Sequence, residues 1–491
     1  MRYSAALTTE TFNLLAAHLL RPDRQEDLCF ALWYASTGAR RTTALIAEPI
    51  LPRDGERHVH GNASFEPQFL DRAIELALAK GAGVAMLHSH LGPGWQGMSA
   101  HDIEAEQGNA GQVLAATGLP LVGLTIGTDG ALSARFWIRA EARDYRREWC
   151  ESVRVVGEQF LITFHEEQRP APSAGVSQRR TVSAWGPAMQ AKLARLRIGI
   201  VGAGSVGSIV AEELVRTGIA NVRLIDFDAI EEHNLDRLLP ASREHIGRAK
   251  VTILADALAT STTAAEPEIE PLELSICERA GFKEALDCDI LFSCVDRPWP
   301  RKVLNVISYA HLIPVIDGGI RVSAPSGRLK RAHWKTLTAA PGRICLECSG
   351  QFDPADVVLE RDGLLDDPRY IETLPADHHL RARENVFAFS TNLASLEVLQ
   401  MLAMVVAPHG ISTAGVQTYH FVSGDLDRDD ALVCEPNCRY STVHLARGDN
   451  VEPGIVEVHP VAEEARAARR QADAHVRQAS WWRRLISWRS R

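Results

Sequence analysis

The segment Leu196–Gly207, LRIGIVGAGSVG, places glycines at positions 202, 204 and 207 directly after an apolar run. A strand, closely spaced glycines and then a helix present backbone N–H groups to a phosphate at the helix N-terminus. Asp226 ends the next apolar run, where a carboxylate binds ribose hydroxyls. We therefore predict a nucleotide site that includes Gly202, Gly204, Gly207 and Asp226. These four residues alone suit an NAD enzyme equally well.

The patterns on either side of this segment divide the chain into four parts. Residues 182–450 alternate strand-like and helix-like runs, which predicts a Rossmann-like, doubly wound parallel sheet. Residues 1–165 mix strands and helices in the manner of an α+β domain. Residues 166–181 are rich in Pro, Ser and charge and are predicted to be a linker, and residues 451–491 form a charged tail with a helical pattern.

Composition narrows the classes of function. The chain has 491 residues, which suggests about three domains, and a net charge of −9, which argues against a dedicated nucleic-acid-binding protein. No run approaches 18 apolar residues, so we expect no membrane span. The nine cysteines, in a chain that begins without an export signal, favour reduced thiols and a cytoplasmic location.

The stretch Leu224–Lys250, LIDFDAIEEHNLDRLLPASREHIGRAK, resembles the ThiF/MoeB family of adenylating enzymes. The resemblance implies that Asn234, Arg237 and Lys250 bind ATP and that Asp296, after the strand DILFSCVD, binds Mg²⁺. It also implies that Arg180, six residues before a glycine, reaches into the nucleotide site of a partner in a homodimer. The implied reaction is adenylation of the C-terminal glycine of a small ubiquitin-like protein. The resemblance therefore favours an adenylating enzyme over an NAD-dependent enzyme.

A second cluster of polar residues lies in the stretch His88–Asp102, HSHLGPGWQGMSAHD. On an extended strand His88 and His90 point to the same face and can bind one zinc ion together with Asp102. The pattern Ser99-x-x-Asp102 is also typical of a capping box that starts a helix. The residues alone leave the metal site and the helix cap as equal alternatives.

The same stretch resembles the signature of the JAB/MPN (JAMM) metalloproteases, and the order of predicted elements over residues 1–139 is also that of the family. The resemblance implies a cytidine-deaminase-like α+β fold with a catalytic zinc on His88, His90 and Asp102. It further implies that Glu26 is the general base and that Ser99 hydrogen-bonds the oxyanion. Under this hypothesis the cap and the metal site share residues.

Two cysteine pairs predict a third metal site. Cys345 and Cys348 lie about ninety residues before Cys434 and Cys438, a spacing that suits a closed structural zinc site and resembles that of the adenylating family. The other five cysteines are predicted to be packing residues. No cysteine occurs from Ser349 to Val433, where thioester-forming activating enzymes carry their acceptor. We therefore expect no thioester, and Ser390 or Thr391 would be the only oxyester acceptors suggested by position.

Together these patterns predict a bifunctional enzyme resembling those of bacterial ubiquitin-like conjugation systems, some of which act in antiviral defence. The adenylating domain would activate the modifier, the JAMM domain would process it, and a conjugating enzyme would be a further partner. The alternatives are trimming and activation of a sulfur carrier for thiocarboxylate formation, and a scaffold with one inactive domain. The tail alternates Trp and Arg near Trp481, Trp482 and Trp488, which suits a docking helix or a membrane-surface helix.

Overall fold

The computed structural model of the chain describes residues 1–374 and 384–472. The first eleven strands are β1 Arg2–Thr8, β2 Leu28–Thr37, β3 Arg41–Ile50, β4 Arg57–His60, β5 Asn62–Phe65, β6 Gly83–Ser89, β7 Val122–Ile126, β8 Leu132–Glu141, β9 Asp144–Trp149, β10 Ser152–Val156 and β11 Phe160–Phe164. The helices among them are α1 Thr9–Leu19, α2 Pro67–Lys80 and α3 Ala100–Thr117.

The N-terminal strands form one mixed sheet of nine strands in the order β11-β10-β1-β3-β2-β6-β7-β8-β9, while β4 and β5 form a separate hairpin. Strand β2 alternates in its contacts, because Cys29 and Trp33 pack with α1 on one face and Phe30 and Leu32 pack with α2 on the other. The predicted mixture of strands and helices is present, whereas β1, the β4–β5 hairpin and β9 to β11 were not predicted from the sequence. The sheet therefore carries helices on both faces and exposes the loops at its strand ends.

The remaining strands are β12 Arg197–Val201, β13 Asn221–Ile225, β14 Glu268–Leu272, β15 Ile290–Ser293, β16 Val315–Ser323, β17 Arg331–Ala339, β18 Val416–His420 and β19 Asp425–Asp429. The helices are α4 Arg179–Ala194, α5 Ser205–Thr217, α6 Lys250–Ser261, α7 Arg279–Leu286, α8 Pro298–Ala310, α9 Pro354–Arg361, α10 Pro368–Thr373 and α11 Phe387–Val406.

This second sheet has eight strands in the order β14-β13-β12-β15-β16-β17-β18-β19. The strands from β14 to β16 pair in parallel and the last three are antiparallel, so the predicted doubly wound sheet is confirmed and extended by an antiparallel edge. Helices α5, α6 and α11 cover one face and α7 and α8 cover the other. The order reverses between β12 and β15, and this switch point is where ligands bind in such folds.

Two boundaries differ from the sequence prediction. Helix α4 begins at Arg179, so the linker predicted over residues 166–181 ends before Arg180, which lies in the first helical turn. The tail has no helix until residue 460, and the described helix covers residues 460–472. The Trp- and Arg-rich run predicted to be a docking helix lies outside the described residues. Helix propensity of the sequence did not predict the helix starts at Arg179 and residue 460, because the stability of a short helix comes mostly from its tertiary packing.

A buried network of charges joins the two domains. Asp289 Oδ1 accepts hydrogen bonds from Arg41 Nη1 at 2.6 Å and Arg154 Nη1 at 2.8 Å, and its Oδ2 accepts from the Arg197 backbone N–H at 3.0 Å. Both guanidinium groups are fully buried and Asp289 is 1% exposed. Glu151 pairs with the Arg197 side chain at 2.8 Å. Burial by itself raises the pKa of Asp289, but Arg41 and Arg154 outweigh it and hold the pKa well below its usual value.

Helix α11 is the one helix in the described ranges that is long and apolar enough, by length and composition, to cross a membrane. Its residues Leu393, Val398 and Met401 are buried, and it packs against α5, β16 and β17. These contacts are those of a core helix between the sheet and α5.

Candidate active sites

The glycine loop lies between β12 and α5, at the switch point of the second sheet. Gly202 has φ +95°, a left-handed conformation that favours glycine, and an added Cβ there would lie 2.4 Å from the carbonyl oxygen of Cys294. At Gly207 an added Cβ would lie 1.9 Å from the carbonyl oxygen of Gly202. Gly204 is the N-cap of α5 and provides no side-chain cap. The first N–H groups of α5 therefore remain available to an anion.

Asp226 follows β13 and supports this loop directly. Its Oδ2 accepts a hydrogen bond from the Ala203 backbone N–H at 2.7 Å, and its Oδ1 accepts one from the Asp228 backbone N–H at 2.8 Å. Burial raises the pKa of Asp226. The carboxylate predicted to bind ribose is thus also a structural support for the glycine loop.

Lys250 brings a cation to the same edge of the sheet. Its Nζ donates to Asp228 Oδ2 at 2.8 Å, and its side chain is 12% exposed. Burial by itself lowers the pKa of Lys250, but the nearby carboxylates of Asp226 and Asp228 outweigh it and raise the pKa. Asp228 was not among the predicted site residues, although the alternation Asp-Phe-Asp at the strand end was a signal for it. The site therefore holds a protonated lysine against two carboxylates.

Asp296 lies three residues beyond β15, across the crevice from Asp226. The first turn of α8, which follows, is held by Glu360 of α9, whose Oε2 accepts a hydrogen bond from the Trp299 backbone N–H at 2.7 Å. Burial is the main cause that raises the pKa of Glu360 to about 7, with contributions in the same direction from the charges of Asp366 and Asp296. Glu360 comes from a segment far along the chain, and no sequence pattern marked it.

The three other predicted nucleotide-binding residues, Asn234, Arg237 and Arg180, are less directly connected to the glycine loop. Asn234 and Arg237 lie in the loop after β13, where Asn234 Oδ1 accepts from the Glu231 backbone N–H at 3.0 Å and Arg237 Nη1 donates to the His233 carbonyl at 2.7 Å. Arg180 is exposed on α4, and its side chain has no hydrogen bond or ion pair with any other described residue. The structure of one chain therefore does not bring Arg180 into the site.

The N-terminal domain brings His88, His90 and Asp102 together. His88 Nε2 lies 3.2 Å from His90 Nε2 and 3.6 Å from Asp102 Oδ1, and His90 Nε2 lies 3.2 Å from Asp102 Oδ2. A tetrahedral zinc ion with ligands at about 2.0–2.1 Å separates its donor atoms by about 3.4 Å. The three side chains therefore fit one zinc ion.

The environment of this cluster suits a cation. Burial raises the pKa of Asp102, but hydrogen bonds from His88 and His90 outweigh it and hold the pKa well below its usual value. Thr125 Oγ1 lies 3.3 Å from His88 Nε2 and accepts a hydrogen bond from the buried Arg135 at 2.6 Å. Thr125 was not predicted, because a threonine inside a strand carries no distinctive signal.

Ser99 and Asp102 form the predicted capping box. Ser99 is the N-cap of α3, its Oγ accepts from the Asp102 backbone N–H at 3.2 Å, and Asp102 Oδ2 accepts from the Ser99 backbone N–H at 2.6 Å. The cap thus fixes the carboxylate that faces the two histidines. Glu26 is half-buried, and continuing the β2–β6 register from Leu28 opposite His88 sets Glu26 opposite His90.

The four predicted zinc-binding cysteines also converge. The Sγ atoms of Cys345, Cys348, Cys434 and Cys438 all lie within 4.8 Å of one another, and Cys345 Sγ is 3.8 Å from Cys438 Sγ. A tetrahedral zinc ion with Zn–S bonds of about 2.3 Å separates its sulfur atoms by about 3.8 Å. The donors fit a closed site that joins the loop after β17 to the chain after β19.

The five remaining thiols are poorly exposed, and of the two predicted oxyester acceptors, Ser390 and Thr391, only Thr391 is partly exposed, with its Oγ1 donating to the Phe387 carbonyl at 3.0 Å. Cys29, Cys150, Cys277 and Cys288 are buried and Cys294 is half-buried, and burial raises the pKa of each thiol. Ser390 is fully buried in α11 and hydrogen-bonds Asn385 at 3.0 Å, so it does not suit an oxyester.

Comparisons with known proteins concern the second domain. The ThiF family matches residues 176–428. Ubiquitin-like modifier-activating enzyme 5 of Drosophila willistoni is 27% identical over 180 residues, which cover 33% of this chain and 41% of that protein. Adenylyltransferase and sulfurtransferase UBA4 of Meyerozyma guilliermondii is 27% identical over 190 residues, covering 38% and 43%. The chain thus spans less than half the length of these curated relatives.

Among solved structures, E. coli MccB with ATP aligns with a TM-score of 0.42 and 19% identity over 54% of this chain and 74% of that chain.

Proposed function

Because the chain belongs to the ThiF family, we propose that its second domain adenylates the C-terminal glycine of a small ubiquitin-like protein and that its N-terminal domain is a zinc peptidase for the same protein. The observation that carries the adenylation is the convergence of the glycine loop, Asp226, Lys250 and Asp296 at one switch point. The proposal includes a cytoplasmic homodimer, because thiolate ligands need a reducing compartment and the Arg180 side chain is exposed, where it can reach a partner chain.

The adenylation step must bring two anions together. The modifier carboxylate attacks the α-phosphorus of ATP, the bond to the pyrophosphate breaks, and the products are an acyl-adenylate and pyrophosphate. Mg²⁺ on Asp296 would supply positive charge to the phosphates. Lys250 and Arg237 would add fixed cations, and the N–H groups at the start of α5 would hold the phosphate chain in place.

The peptidase step needs an activated water molecule and a stabilised oxyanion. Zinc on His88, His90 and Asp102 would lower the pKa of a bound water and polarise the scissile carbonyl. Glu26 would take the proton of that water and return it to the departing amine. The Ser99 hydroxyl accepts from the Asp102 N–H and so still has its own hydrogen to donate to the oxyanion.

The adenylation is tested by exchange of labelled pyrophosphate into ATP in the presence of a co-purifying small protein that ends in glycine. Asp296→Ala should abolish the exchange, whereas Asp366→Ala, which removes an exposed carboxylate paired with Arg297, should retain it. Exchange driven equally well by free amino acids would contradict a protein substrate.

The peptidase is tested with the same small protein extended beyond its terminal glycine. Glu26→Gln should lose cleavage while zinc stays bound, because Glu26 is a base and not a ligand. Glu104→Gln, on the exposed face of α3, is the matched control and should cleave normally. Normal cleavage by Glu26→Gln would show that Glu26 is not the base.

A sulfur-carrier function is the second candidate, because the crossover segment from Ser349 to Val433 has no cysteine to form a thioester. In that function the adenylate passes to a sulfur donor and yields a thiocarboxylate. Mass spectrometry of the modifier after incubation with ATP and sulfide distinguishes sulfur transfer from protein conjugation. In a thiocarboxylate one sulfur replaces one oxygen, so the modifier becomes about 16 Da heavier. A partner conjugating enzyme that takes the modifier directly would favour protein conjugation. A reductant-sensitive adduct on this chain would contradict both routes.

A further inference from the structure

The segment of residues 455–472 is docked beside the nucleotide crevice. The Val456 backbone N–H donates to the Cys277 carbonyl at 2.9 Å, and the Val456 carbonyl accepts from the Arg279 N–H at 2.9 Å. The loop that it extends, residues 273–278, leads from β14 to α7 at the carboxyl edge of the second sheet. The segment therefore joins this edge through a single parallel β-bridge between Val456 and Glu278.

The helix that follows holds the segment in place. Arg466 donates to both carboxylate oxygens of Glu278, at 2.7 and 3.0 Å, and Glu278 is 2% exposed. The same carboxylate accepts from the His459 backbone N–H at 3.0 Å. Arg469 pairs with Glu273 at 2.8 Å. A buried bidentate pair of this kind fixes geometry strongly, so His459 is held at a defined position.

The His459 ring bridges the two sides of the crevice. It lies 5.6 Å from the ring of Phe227 and 5.2 Å from the ring of Trp299, measured between centroids. Phe227 directly follows Asp226 at the end of β13, and Trp299 follows Asp296 by three residues after β15. These two strands flank β12 and its glycine loop, so the half-buried rings of Phe227 and His459 lie beside the crevice where this fold binds nucleotides, and the buried Trp299 packs behind His459.

The position of the base follows from the order in which the crevice binds the parts of a nucleotide. Phosphates bind at the start of α5 and ribose hydroxyls at the strand-end carboxylate, so the base lies beyond Asp226, on the side of Phe227. His459 Nδ1 is buried and has no hydrogen-bond partner among the described residues. A purine base offers a flat face to these rings and ring nitrogens that can hydrogen-bond an imidazole.

We propose that the segment of residues 455–472 forms the wall of the base subsite and that His459 contacts the purine base of ATP. This inference rests on the proposed adenylation, because it assumes that ATP occupies the switch point. The segment follows the last strand of the family-matched region by more than 20 residues, so it adds a determinant from outside residues 176–428.

The test compares ATP with inorganic tripolyphosphate, which lacks ribose and base, by calorimetric titration of the full chain in the presence of Mg²⁺. His459→Ala should weaken ATP binding by about 5- to 30-fold, the range expected for loss of one stacking contact, and should leave tripolyphosphate binding unchanged. Retained tripolyphosphate binding also shows that the variant is folded. His444→Ala is the matched control, since His444 likewise packs on an aromatic ring and has a buried, unpaired Nδ1 within the described structure.

Equal losses for both ligands, or no loss for ATP, would overturn the role of His459 while leaving the adenylating site in place. A wild-type chain that binds neither ligand would overturn the proposed adenylation, and this inference with it. His459→Phe separates the ring face from Nδ1: it should lose less ATP affinity than His459→Ala, because the ring face is preserved while the hydrogen bond is lost; a loss equal to that of His459→Ala would overturn the stacking contact.

Discussion

Replacement of Asp289 by asparagine should destabilise both domains at once. Asp289 is the shared acceptor of Arg41 and Arg154, and all three side chains are almost completely buried. Removing one partner of a buried ion pair leaves uncompensated charge and costs about 3–5 kcal/mol. Two positive charges remain here, so the upper half of that range is expected.

The size of the thermal shift depends on whether the domains unfold together. An unfolding entropy of about 2.1 cal/mol/K per residue gives about 1 kcal/mol/K for the 491 residues. A loss of 4 kcal/mol then lowers Tm by about 4 °C in one cooperative transition. If the N-terminal 165 residues unfolded alone, the same loss would lower their Tm by about 12 °C.

Differential scanning calorimetry of the wild type and Asp289→Asn measures this shift. The triple variant Arg41→Met, Arg154→Met and Asp289→Leu is the control, because replacing a whole buried charge network with apolar side chains is often neutral. A Tm for Asp289→Asn within 1 °C of the wild type would refute the reasoning. A triple variant less stable than the single one would show that packing, rather than unpaired charge, is the cause.

Four further outcomes are expected. His90→Ala should reduce bound zinc from about two ions per chain to one while pyrophosphate exchange persists, as measured by elemental analysis; unchanged zinc content would contradict the assignment of His90. Cys348→Ser should instead remove the zinc ion held by the four cysteines and lower Tm, and a variant that keeps two zinc ions per chain would contradict the four-cysteine site. Burial lowers the pKa of His311 to about 4, whereas the histidine of the unfolded chain takes up a proton near pH 6.5, so the free energy of unfolding should fall by about 3 kcal/mol between pH 6.5 and 4. His311→Asn should reduce this pH dependence in chemical denaturation, and an unchanged pH dependence would contradict the role of His311. Mixing Arg180→Ala with Asp296→Ala chains should restore part of the exchange activity if Arg180 acts across a homodimer, and a fully active monomer would rule this out.

Local patterns in the sequence predicted most of the two sites. The glycine spacing, the histidine pair on one strand face and the spacing within each cysteine pair depend on residues close in the chain, and the structure brings the members of each set together. The helix start at Arg179 was missed because no cap residue marks it: Gln178 makes no side-chain cap hydrogen bond. Glu360 and Thr125 were missed because their environments depend on chain segments distant in sequence.

The sequence by itself determined the doubly wound sheet, the glycine loop after β12 and the members of the two clusters of potential metal ligands, since hydrophobic period, glycine spacing and the spacing within the histidine pair and within each cysteine pair are local properties of the chain. Only the tertiary structure decided how the domains join and what surrounds the nucleotide crevice. Asp289 meets arginines more than a hundred residues earlier, and His459 reaches rings that follow two different strands. Such contacts depend on how whole helices and strands pack against one another. The residues next to Asp289 or His459 in the sequence do not reveal whether its side chain is exposed or buried, because its neighbours in space come from distant segments.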